Sequence, residues 1–188
     1  MQRSLFALVC SAFSAAAFAA PAAYTLDPGH TIPRFEIKHN GLSFHIGSFL
    51  KSEGRATLDL EGKSGSVEVT IQTASVLTGH AVMEAALKDK DFFNIAQFPT
   101  MTFRSTRMRF DGDKPAAVEG EFTLLGVTRP LTLTFVNFTC AQHPRSKKDQ
   151  CGGNLEGHIK RSDYGMKAYV PVIADEVRLL IQVEAFKD

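Results

Sequence analysis

Apolar and polar side chains alternate with a period of two through most of this chain, a pattern that suits antiparallel sheet with one wet face. Phe35, Ile37 and His39 alternate with Arg34, Glu36 and Lys38, and Val67, Val69 and Ile71 with Glu68, Thr70 and Gln72. Val118, Gly120, Phe122 and Leu124 alternate with Glu119, Glu121 and Thr123, and Leu131, Leu133 and Phe135 with Thr132 and Thr134. Near the end, Val177, Leu179, Ile181, Val183 and Ala185 are set against Arg178, Gln182 and Glu184. Successive strand residues point to opposite faces, so each run has one face for a core and one for water. Parallel strands, covered on both faces, would read as unbroken apolar text.

Turn-forming residues separate the runs: Glu61-Gly62-Lys63-Ser64-Gly65, Asp111-Gly112-Asp113, and Gly126 at a tight connection. Pro130 lacks a ladder donor, so the strand starting at Val127 is expected to begin irregularly or at an edge. One segment breaks the period. Val82, Met83, Ala86 and Leu87 fall at helical spacing between Gly79 and Lys90, with Thr78 as the expected N-cap. A single short helix cannot supply a core. The expected fold is therefore all-β: one antiparallel eight-stranded barrel with a short helix covering one end. A barrel of that size either fills with its own side chains or holds one small ligand. Phe outnumbers Tyr 15 to 3 and Trp is absent, so the aromatic residues supply apolar surface more than hydrogen bonds. Inward-reading Phe interspersed with small Gly120 and Ala185 leaves room for a cavity.

The first residues have a different character. Arg3 precedes an uncharged apolar stretch from Leu5 to Phe18, followed by the small-x-small text Ala17-Phe18-Ala19. This reads as a secretory signal peptide, residues 1–19, cleaved after Ala19 and carrying Cys10 away with it. The barrel domain is then residues 20–188, and its expected location is the periplasm. Without Arg3 the 21 basic residues become 20, equal to the 20 acidic ones, so the exported chain has no basic excess to attract nucleic acid. Cys140 and Cys151 remain, and in an oxidising compartment they read as a disulfide closing the polar loop from His143 to Gln150.

Catalytic motifs are missing where they would be sought. Gly62-Lys63-Ser64 has Thr57 where a phosphate loop needs glycine, and Gly41-Leu42-Ser43-Phe44 runs into His45 instead of completing a nucleophile elbow. His30, His39, His45, His80, His143 and His158 are scattered without paired ligand spacing, so no metal site is expected. His39 continues the inward face of Phe35 and Ile37, either as a hydrogen-bonded strand-end histidine or as a contact to a ligand's polar head. Phe92, Phe93 and Phe98 follow the helix, and suit lumen lining and plain core packing equally. Arg161, in Arg161-Ser162-Asp163-Tyr164-Gly165-Met166, reads as a turn fastener paired with Asp163 or another acid.

The order of several phrases resembles the YceI-like family of lipid- and polyisoprenoid-binding proteins over essentially the whole exported chain. They are Tyr24-Thr25-Leu26-Asp27, Phe35-Glu36-Ile37-Lys38-His39, Gly47-Ser48-Phe49, Leu77-Thr78-Gly79, Asp91-Phe92-Phe93-Asn94, Phe98-Pro99-Thr100-Met101-Thr102-Phe103, Gly120 to Thr128, and the Arg161 phrase. The resemblance implies a lipocalin-like barrel holding a long isoprenoid, either a polyprenyl phosphate or a ubiquinone-type quinone, with no other cofactor. It implies a periplasmic carrier or binding protein; a membrane redox or lipid-transfer partner, and the choice between monomer and homodimer, are left open by the sequence. The cysteine-bounded loop looks like that of a subset of exported members favouring a quinone. Thr31-Ile32-Pro33, and the lack of an Arg-Asp pair between Ala81 and Ala86, depart from the family's usual text. Together the residues and the resemblance nominate Phe35, Ile37, His39, Phe49, Met83, Leu87, Phe92, Phe93, Phe98, Phe103, Phe122, Leu124 and Met166 as ligand-binding. No catalytic residue is assigned and no enzyme activity is expected. The alternative is an enzyme or accessory stress-response factor acting on an isoprenoid quinone with a membrane redox partner, for which His39 and Arg161 are the candidates.

Overall fold

The computed structural model describes residues 21–188; the expected signal peptide and its cleavage point lie outside the described residues. The strands are β1 (Ala22–Leu26), β2 (Ile32–His39), β3 (Ser43–Phe49), β4 (Ser52–Asp59), β5 (Ser64–Gln72) and β6 (Val76–Leu77). After helix α1 (Ala81–Lys88) come β7 (Thr100–Asp111), β8 (Lys114–Leu124), β9 (Val127–Gln142), β10 (Asp149–Lys160) and β11 (Ile173–Lys187). All pairings are antiparallel. Eight strands close a ring in the order β1-β4-β5-β7-β8-β9-β10-β11, with β11 returning to β1 through Leu26 opposite Ala185. Four of the five alternating runs thus lie in a closed ring with their apolar faces turned inward, and the fifth lies on β2 beside it.

The ring is not the whole wall. The end of β11 pairs with β1, whereas its stretch from Ile173 to Gln182 pairs with β2, which carries β3 and then β6 beside it. These three strands raise the wall on one side of one barrel end. Prolines fall where a strand has a single neighbour and one donor would go unused. Pro33 pairs with Ile181 but lies before the β2–β3 ladder begins at Arg34. Pro130 pairs with Glu121 on β8, while the β9–β10 ladder covers only Thr134 onward. The edge-facing start expected for β9 is what the register shows. The β8–β9 turn consists of Leu125 and Gly126, both at positive φ (52° and 73°), the geometry that matches strand twist in a two-residue hairpin.

The helix begins later than its spacing predicts. Its N-cap is His80, whose Nδ1 accepts from the Met83 amide at 3.2 Å, and not Thr78. Thr78 and Gly79 are held outside the helix because both amides donate to the Glu84 carboxylate, at 2.8 and 3.0 Å. These bonds hold the Glu84 acid below its ordinary value, the Thr78 amide contributing most. At the other end of the barrel, Cys140 and Cys151 face each other across β9 and β10 and are joined, S–S 2.03 Å.

Candidate functional site

Inside the barrel the inward side chains leave a cavity of about 320 Å³ at the helix end. Its wall draws on Phe35, Ile37 and His39 of β2, His45 and Phe49 of β3, Met83, Ala86 and Leu87 of α1, and Phe92 and Phe93 just after it. Met101, Phe122, Leu124 and Ile159 close it from β7, β8 and β10, and Val177 and Leu179 from β11. Two smaller apolar compartments follow. One, of about 90 Å³, shares Phe35, Phe49, Met101, Phe122 and Leu179 with the first; the other, of about 110 Å³, shares Phe103, Leu133, Ile181 and Val183 with the second. Ile159 lines the first compartment and Cys151 the last. Those residues lie eight positions apart on β10, roughly 26 Å at strand rise. The apolar space therefore runs most of the barrel's length.

Aromatic rings partition it. Phe35 and Phe49, which line both the large cavity and the compartment behind it, pack with Phe93, centroids 5.3–6.2 Å apart. Phe35 lies over Gly47, and a Cβ there would collide with its ring. Gly120, expected to make room for a cavity, instead makes room for a ring: a Cβ on it would come within 2.6 Å of Phe103. Ala185 does line the far compartment.

The nominated residues divide accordingly. Phe35, Ile37, His39, Phe49, Met83, Leu87, Phe92, Phe93, Phe122, Leu124 and Met166 all line the large cavity. Phe103 lines only the two deeper compartments. Phe98 lines none of the three. Its ring fills the space under the β8–β9 turn, 2.9 Å from where a Gly126 Cβ would stand, and its carbonyl accepts from Thr73 Oγ1 at 2.8 Å. Phe98 is a packing residue.

Polar groups gather at the rim. His39 and His45 stack across the β2–β3 pair, centroids 4.7 Å apart and planes 18° from parallel. Tyr169, from the loop before β11, stacks on Phe92 with centroids 6.1 Å apart. His45 and Tyr169 escaped the sequence reading. His45 stands opposite Ile37, two residues from His39 on the same face, and follows from pairing β2 with β3, whereas Tyr169 sits in text without periodicity.

Arg161 is 2% exposed, yet among the described residues no acid pairs with it directly. Its guanidinium donates to four backbone carbonyls, those of Ala174 (2.9 Å), Met166 (3.2 Å), Ala168 (2.7 Å) and Ile173 (3.0 Å). The expected pairing with Asp163 is thus replaced by a clamp that shapes the whole Met166–Ala174 loop. Burial lowers the Arg161 pKa, partly offset by the Asp175 charge. Asp175 accepts from the Ser162 amide and hydroxyl, at 2.9 and 2.7 Å. Burial is the largest influence on its acid and pushes it up, but the Ser162 bonds and Arg161 together leave it below its ordinary value.

A family profile for the YceI-like domain matches residues 24–185. The protein YceI of Escherichia coli O157:H7 is 36% identical over 188 residues, covering 98% of this chain and 97% of that protein. The chain belongs to the YceI-like family. YceI of Shigella sonnei matches equally, at 36% identity and the same coverage. Among solved structures, the YCEI protein of Campylobacter jejuni superposes with a TM-score of 0.70 at 27% identity, over 80% of this chain and 90% of that one. A polyisoprenoid-binding domain from Saccharophagus degradans, implicated in plant cell wall breakdown, shares the fold with a TM-score of 0.62 at 17% identity, over 89% of this chain and 99% of that one.

Proposed function

We propose that this protein is a non-catalytic carrier for a long isoprenoid lipid, its tail lying in the barrel and its polar head at the His39–His45 rim. The observation that carries the reading is the run of adjoining apolar compartments that share lining residues, widest under the helix. The polyisoprenoid-binding domain that shares this fold supports it. A volume of about 320 Å³ in the widest compartment lies within the range of small-molecule sites. Burying a tail contributes roughly 0.8 kcal/mol per methylene, so tight binding needs no specific polar contact. Affinity comes from the tail and discrimination from the rim. A ubiquinone-type quinone or a polyprenyl phosphate fits this division, the histidine pair offering donors to a quinone carbonyl or a phosphate oxygen. The apolar start and the disulfide of the exported chain favour a periplasmic setting.

Ala86 is exposed on α1 and lines the wide cavity, so Ala86→Trp is expected to fill the entrance without disturbing the core. Titration with a ubiquinone-type quinone and with a polyprenyl phosphate, each dispersed in detergent, tests the reading. It predicts saturable binding of at least one by the parent and roughly tenfold weaker binding by A86W, about 1.4 kcal/mol. Failure of the parent to bind either would overturn it.

A further inference from the structure

The cavity opens through a rim of exposed apolar side chains. Leu42 is 87% exposed, Val82 74%, Tyr169 66%, Phe44 59%, Val172 57% and Ile46 52%. They come from the β2–β3 hairpin, the first turn of α1 and the loop before β11. The hairpin and that loop are tied together, the Asn40 amide donating to the Val172 carbonyl at 2.9 Å. Ile46 and Tyr169 also line the cavity, as does Met83 beside Val82, so rim and lumen form one apolar surface. Apolar residues gathered in this way mark an interaction site.

Two of the flanking charges are unpaired lysines. Lys38 is exposed opposite Phe44 in the β2–β3 ladder, and Lys167 is exposed two residues before Tyr169. Among the described residues neither forms a salt bridge, whereas nearby Glu36 is engaged by Arg178. Apolar tips beside unpaired lysines are the arrangement that sits at a lipid headgroup layer, with the tips among acyl chains and the ammonium groups at the phosphates.

We propose that this rim docks the open end of the barrel onto the surface of an anionic phospholipid bilayer. The inference rests on the carrier reading and supplies its loading step. An isoprenoid crossing water would expose its tail at roughly 0.8 kcal/mol per methylene, and seating the mouth on the bilayer removes that gap. A protein docked on the same rim would instead cover the opening.

The test uses residues 20–188, which contain every strand of the barrel and omit the apolar N-terminus that would bind lipid by itself. Flotation with vesicles of equal parts phosphatidylethanolamine and phosphatidylglycerol is expected to carry the protein, less so at high salt because the lysines are screened. Leu42→Glu with Val172→Glu is expected to weaken vesicle association by roughly tenfold or more, since both tips lose their apolar contact. Binding of a quinone dispersed in detergent should be unchanged. Leu42→Ser with Val172→Ser gives the same readout if the charged pair folds poorly. Vesicle association equal in parent and variants overturns the docking. A parent that binds the quinone but ignores vesicles also overturns it, as does a rim that serves only self-association, seen as a dimer by sedimentation that the variants lose; both outcomes leave the carrier reading standing. A parent that binds no isoprenoid in detergent overturns that reading itself.

Discussion

Arg161 and Asp175 show how much of the cavity's far lip hangs on two charged side chains. Arg161 gathers the carbonyls of Met166 and Ala168 in the loop and of Ile173 and Ala174 at the start of β11, and Asp175 anchors the turn that carries Arg161 through Ser162. Asp175 has its folded pKa below the ordinary 3.8, so its stabilisation is fully present above the unfolded value and is lost as pH falls through the folded one. Asp175→Asn should therefore destabilise the protein at neutral pH by about 1–3 kcal/mol, the worth of hydrogen bonds to a charged group. Denaturant midpoints of parent and variant should converge on acidification through and below pH 3.8. Curves that stay parallel would mean that the carboxylate's charge contributes nothing. Asp163 stood closer in sequence and was the natural partner to read for Arg161. Carbonyls brought in by a distant strand leave no mark on sequence spacing.

The strands were the most readable elements, because alternation is local and each run carries its own inside and outside. Every alternating run quoted above lies in a strand, and Pro130 correctly signals a place where β9 has one neighbour. Asn40-Gly41, at positive φ of 53° and 70°, is a further readable turn signal that alternation alone does not supply. The helix was legible in type but not in its start, since the Glu84 carboxylate reaches back past the expected cap. What local pattern could not reveal is pairing: that β11 divides its edge between β1 and β2, and that β2, β3 and β6 raise one side of the mouth. The β9–β10 hairpin offers a test at this scale. Cys140→Ser with Cys151→Ser should lower stability by about 2–3 kcal/mol, in the loop-entropy account of a short closed loop. Cys151 lines the far compartment and not the wide cavity, so affinity for a ligand held under the helix should not change. A tenfold loss of affinity would put the tail's main contacts at the disulfide end.

For the molecule as a whole, closure of the sheet is what turns inward-facing Phe into a lumen. The same residues in an open sheet would make an ordinary core, and so Phe92, Phe93 and Phe98 could not be sorted before the strands were placed. Two of them line the cavity and the third packs under a turn. The barrel is divided, not hollow throughout: Phe35 and Phe49 line both its widest part and the compartment behind. The proposed carrier role requires an isoprenoid in this space. Native mass spectrometry of residues 20–188, purified from a bacterial periplasm without added lipid, tests it most directly. The expected result is a bound species that organic extraction releases and fragmentation identifies as a polyprenyl lipid or quinone, and that A86W carries in much reduced amount. A protein that arrives empty, and stays empty when offered both lipids in excess, would contradict it.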